Sequence, residues 1–138
     1  MRSLLVCLRA LDETFLTLTP MHGDAQWLLE LLRQTTTALA QPAEAQLQSL
    51  PDFVCKSDEL ALDFAASWQT ARDCLELTFS STQRRALNEL DEALALMSGP
   101  ENAELWTDEA LKVSPEWDRV RSLATAALQS IGMPGPVP

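Results

Sequence analysis

Tyrosine is missing from this chain, glycine occurs four times in 138 residues, and histidine once. So little glycine leaves no room for a phosphate-cradling loop: neither GxGxxG nor GxxxxGK[ST] occurs, and nucleotide binding has no support. His22, in "PMHGD", stands without a GxSxG or HExxH stretch, so no nucleophile–base pair or zinc-ligand spacing is written in the chain. Cys7, Cys55 and Cys74 are odd in number, far apart and never CxxC. That predicts reduced thiols in a cytoplasmic protein, read as small core or semi-buried residues. No apolar run approaches the roughly 20 residues of a membrane span. The opening "MRSLLVCLRALDETF" meets Arg9, Asp12 and Glu13 too early, and lacks the small-residue cleavage site, to read as a secretory signal. Basic residues are scarce too: 10 against 20 acidic ones, a formal charge of −10. Polyphosphates and anionic membranes repel such a surface, so the expected partner is neither nucleic acid nor membrane. It is a basic protein, unless the charge serves solubility alone.

Leucine and alanine fill the space those residues leave. With 46% hydrophobic and 22% charged residues, the composition is that of one globular, helix-rich domain. Leu4, Leu8, Leu11, Phe15 and Leu18, spaced 4, 3, 4 and 3, predict a first helix over residues 3–18 that Pro20 ends. "PMHGDAQW" reads as a turn with His22 exposed in it. Asp24 caps a second helix over 25–40, built on Trp27, Leu28, Leu31, Leu32, Thr35 and Leu39, and the two helices form an antiparallel hairpin. Pro42 and Pro51 bracket "AEAQLQSL", a short helix or an ordered loop, and "DFVCK" is too short and isolated for a sheet. Ser57 or Asp58 opens a third helix to about Phe79, with Leu60, Phe64, Trp68, Ala71, Leu75 and Phe79 on one side.

Ser80 and Gln83 have capping-box spacing for a fourth helix, whose stripe is Leu87, Leu90, Leu94 and Met97. Gly99 in the left-handed C′ position, followed by Pro100, stops it. "ENAELWTDEALKV" reads as a short acidic helix, or two turns, holding Leu105, Trp106 and Leu111 inward. In "VSPEWDRVRSLATAALQSIG", Ser114 is the N-cap, Pro115 takes N1 and Glu116 lies in the positive first turn. Trp117, Val120, Ala124, Ala127, Leu128 and Ile131 form its buried side, and Gly132 its C′. The expectation is an all-α fold: an irregular helical bundle of about five main helices plus one or two short ones, one domain over 1–132 with a Pro/Gly-rich tail at 133–138.

Between residues 58 and 79 five acids stand against Arg72 alone, a local charge of −4. Glu59, Asp63 and Asp73 lie roughly opposite the apolar side. As hydrolase carboxylates they would need a cleft to push their pKa values apart, which an exposed face does not supply. The face is therefore solvated or binds a partner, and Leu62 beside it has the character of an apolar anchor. Arg72 and Glu76 have i,i+4 spacing, Arg84 and Arg85 are too few for a nucleic-acid patch, and Arg119 and Arg121 are balanced by Glu116 and Asp118. The four tryptophans sit on apolar stripes as core posts. The candidate partner-binding residues are Glu59, Leu62, Asp63, Asp73, Glu76, Glu101, Glu104, Asp108 and Glu109. No residue is assigned to catalysis, to a cofactor or to a metal, and the chain reads as a non-enzyme, with a monomer favoured.

The segment "ELWTDEALKVSPEWDRVRSLATAALQSIGMP" resembles the C-terminal part of small helical immunity proteins from bacterial toxin–immunity systems. There a Leu-Trp-containing short helix leads into a Ser-Pro-Glu-Trp start and an Arg-containing last helix. The resemblance spans about 30 of 138 residues. It implies a cytoplasmic inhibitor that binds and blocks one cognate toxin domain. It carries over no functional residue, because such families diversify at the interface. A nuclease toxin must be basic to hold phosphate, and an acidic inhibitor is steered to that surface. The alternative is a small acidic helical adaptor or secretion chaperone, which would expose an apolar groove to a client protein.

Overall fold

A computed structural model describes the backbone of residues 21–75 and 79–131, with side chains from residue 25 onward. The helix expected over 3–18, Cys7, Glu76, Gly132 and the tail lie outside the described residues. Among those described there is no strand. The elements are α1 (Met21–Ala40), α2 (Ala43–Gln48), α3 (Lys56–Cys74), α4 (Ser81–Leu96), a 3₁₀ segment (Pro100–Leu105), α5 (Asp108–Val113) and α6 (Pro115–Ser130). The all-α expectation holds, and no described helix is long and apolar enough to cross a membrane.

Four long helices make the frame. α1 packs against α3 on one side and α6 on the other, α4 packs against α6, and α3 and α4 meet only slightly. Their apolar stripes meet in one core: Leu32 and Leu39 from α1, Phe64 and Trp68 from α3, Leu87, Leu90 and Leu94 from α4, Trp117, Val120 and Ala124 from α6. Gln83 Nε2 donates to Ser130 O at the far end of α6, so α4 and α6 run antiparallel. On α1 two of the threonine hydroxyls are hydrogen-bonded, one within the helix and one across to α3, whereas Thr37 Oγ1 is buried without a partner among the described residues. Thr36 Oγ1 donates to Leu32 O at 2.7 Å, and Thr35 shares a 2.7 Å hydrogen bond with Ser67 of α3.

Two of the expected helix starts carry their side-chain caps. Ser80 and Gln83 form both halves of a capping box. Ser114 Oγ accepts from Glu116 N at 3.1 Å and donates to the Glu116 carboxylate at 2.7 Å. That contact and the backbone amide hold the Glu116 carboxyl below its ordinary 4.5. Thr107, which the sequence does not single out, caps α5 by accepting from Ala110 N.

Several expectations are corrected. α1 is already helical at Met21, so "MHGD" is helical rather than a turn and Asp24 lies within the helix instead of capping it. α3 starts at Lys56 with Cys55 at the cap position, and leaves helical geometry at Leu75 rather than near Phe79. The chain must reach the extended conformation that Ser80 holds as the cap of α4, so Phe79 is buried from outside any helix and meets Trp68 edge-on at 5.4 Å. α4 ends at Leu96 with Met97 as its cap; Gly99 lies beyond C′, with φ +110°. Cys55 and Cys74 are exposed rather than core. The first sits at a helix start and the second in a last turn.

Candidate partner-binding groove

The slight meeting of α3 with α4 has a local cause. Trp68 Nε1 donates to Asn88 Oδ1 at 3.1 Å, and Arg72 lies over the Trp68 ring at 5.7 Å. This crossing ties the helices together midway. Toward the start of α3 and the end of α4 they leave a gap of about 420 Å³, within the range of ligand and side-chain pockets. Ala61, Leu62 and Ala65 line it from α3, and Leu94 and Ala95 from α4. The small alanines leave space that longer side chains would fill.

One end of the gap is closed by Ser98, Gly99 and Trp106. Trp106 is held by its indole N–H on Met97 O at 2.8 Å, by edge-on contact with Trp117 at 5.3 Å, and by its carbonyl, which accepts from Cys55 Sγ. Asn102 Nδ2 donates to Leu96 O and Ser98 O and so ties down the end of α4. At Gly99 a Cβ would come within 2.5 Å of the Glu101 carboxylate, on a backbone that only glycine adopts without strain.

Asp58 and Asp91 add charge to these walls. Burial pushes the Asp91 carboxyl above its ordinary 3.8; Arg72 opposes the shift and Glu92 adds to it. No hydrogen bond reaches that carboxylate from the described residues, so it bears a desolvation cost with only distant compensation. Apolar walls with carboxylates at the rim suit a guest that is apolar in part and cationic in part. Among the described residues no group of three or more His, Cys, Asp or Glu could hold a metal ion.

The sequence-expected residues divide around this groove. Leu62 lines it. Glu59 and Asp63 are half-buried farther round α3 and have contacts of their own. Asp73 is exposed near the other end of α3, about 20 Å from Glu59 at the helical rise. Glu101, Glu104, Asp108 and Glu109 are exposed on the 3₁₀ segment and α5, the segment that contributes Trp106. The expected acidic face is thus two separated patches. The sequence reading missed Asp91 and the alanines; the small residues Ala61 and Ala65, one turn apart, were the available signal. Trp68 and Trp117 are core posts, whereas Trp27 and Trp106 are only half-buried.

A second hollow, about 430 Å³, lies across the last turn of α4, between Ala93, Leu96, Met97, Leu105 and Arg119. Leu96 stands 80% exposed beside it. No family model, curated protein or solved structure matches this chain.

Proposed function

We propose that this protein is an acidic, protein-binding inhibitor of the immunity type, which neutralises a basic toxin domain by covering part of its surface. One observation carries the reading: the one loosely packed seam between long described helices is apolar in its walls and carries Asp58 and Asp91. The charge of −10 supports the same reading, since it repels polyanions and steers a basic protein to the groove, as does the resemblance of the C-terminal segment to immunity proteins. Docking would bring guest cations to a carboxylate that already bears the cost of burial.

Co-expression with the product of the gene immediately upstream tests this. The expected result is that the upstream product is toxic alone, harmless beside this protein, and recovered with it in a stable complex. A harmless upstream product, or undiminished toxicity, rejects the reading. The adaptor or secretion-chaperone alternative draws on Phe53, Leu96 and Val113, large apolar side chains that are 79%, 80% and 64% exposed. It would give a dimer holding a larger, non-toxic client, and the mass of the complex distinguishes the two.

A further inference from the structure

We infer that the chain pairs with a second copy of itself across the outer side of α4, each copy seating its Leu96 in the second hollow of the other. This surface lies away from the α3/α4 groove, and the inference does not rest on the inhibitor reading.

Successive residues of a helix turn by about 100°. Asp91, Leu94, Ala95 and Ser98 therefore present one side of α4 to the α3/α4 groove, whereas Ala93, Leu96 and Met97 present roughly the opposite side to the second hollow. A knob and a hole stand side by side there. Leu96 is 80% exposed, and the hollow at its foot, about 430 Å³, has Ala93, Met97 and Leu105 in its walls. Both surfaces are apolar, and seating one in the other takes both out of water.

The charges on this face are paired in the same way. Arg119 lies exposed on the rim of the hollow, with no hydrogen bond or ion pair to the described residues. The acids beside it in sequence are engaged elsewhere: Asp118 accepts from Arg121 at 2.8 Å, and Glu116 accepts from Ser114 Oγ at 2.7 Å. Glu92 is exposed one turn before Leu96, on the same side of α4, and it too has no such partner.

One face thus carries a knob with an acid beside it and a hole with a base on its rim. Two copies related by a two-fold axis satisfy all four groups at once, because each surface is its own complement. Leu96 of each copy enters the hollow of the other, and Glu92 of each meets Arg119 of the other. A basic protein fits this face less well, since Arg119 would meet like charge. The formal charge of −10 on each copy opposes pairing only weakly at physiological salt, where charges more than about 8 Å apart are screened. Both α3/α4 grooves stay open in the pair, so it is compatible with an inhibitor as with an adaptor.

Sedimentation velocity of the full chain over a range of concentrations tests the inference. The expected result is a shift from monomer to dimer mass as concentration rises. Leu96→Asp should leave only monomer, with helical circular dichroism unchanged because the side chain is exposed. Arg119→Glu and Glu92→Arg should each weaken pairing by about tenfold or more, since each sets like charges together at both ends of the interface. Mixed in equal amounts, these two variants should pair with one another about as tightly as the unaltered chain, because each end again joins an acid to a base. An unaltered chain that is still monomeric at about 1 mM overturns the inference. So does a dimer that survives Leu96→Asp, or a mixture of the two charge variants that pairs no better than either alone.

Discussion

α6 and the α3/α4 seam treat buried charge in opposite ways. On α6, Arg121 has a side chain only 13% exposed, yet its guanidinium is spent on three partners. It donates to Gln46 Oε1 at 2.8 Å, to Leu111 O at 3.1 Å and to Asp118 at 2.8 Å, tying α2 and α5 to the last helix. In the seam, Asp91 is partly buried and receives no hydrogen bond from the described residues. A charge satisfied from several elements locks them together, whereas one left desolvated marks a place where the fold has not been optimised for itself. The closed side is scaffold, and the open side is where, under the proposed function, a partner would add what the fold leaves out.

The largest way to break that contrast is Trp117→Ala. Trp117 is fully buried, and its indole donates to Leu105 O at 2.7 Å. Its loss should cost about 3–5 kcal/mol in urea unfolding, whereas Leu62→Ala in the groove should cost less than about 1 kcal/mol. Similar values for both would mean the seam is as much a part of the core as α6. Arg121→Ala comes next, at about 2–3 kcal/mol, because Gln46 and the Leu111 carbonyl lose a charged donor. Arg121→Lys should recover little of this, since a single ammonium cannot span the same partners.

Ser114→Ala removes the cap of α6 and should cost about 1 kcal/mol at neutral pH. Part of that loss is the Glu116 contact. A carboxylate whose folded pKa is lowered contributes stability above its unfolded value of 4.5, and loses it as pH falls through the folded value. The Ser114→Ala penalty should therefore shrink in acid. The smallest effect has the opposite sign. The folded pKa of Asp91 is raised, so its cost is fully present above that pKa and fades as pH falls toward the unfolded 3.8. Asp91→Asn should slightly raise the melting temperature at pH 7 and leave it unchanged well below 3.8.

How much of this was legible in the sequence depends on the range of the interaction. Ser80 with Gln83, and Ser114 with Pro115 and Glu116, act within a single turn, and their roles could be read directly. So could the stripe Leu87, Leu90, Leu94 and Met97, whose members are all buried. Arg121 was read as balanced by nearby acids because its partners at Gln46 and Leu111 lie beyond the helix. Trp106 was read as a core post, but its place at the end of a groove depends on where α4 stops. Glu59, Asp63 and Asp73 share a helix, and a linear count of charge could not show that contacts occupy two of them while the third lies turns away.

The sequence by itself determined an acidic all-α chain, the caps of α4 and α6 and the apolar face of each described long helix, because period, capping and charge are local properties. The tertiary structure alone decided which faces met. α1 closed against α3 and α6, and α4 against α6, because their bulky stripes interlock. α3 and α4 stayed apart where alanines face one another, and that spacing, set by packing across distant segments, turned Asp58, Leu62 and Asp91 into neighbours along one groove.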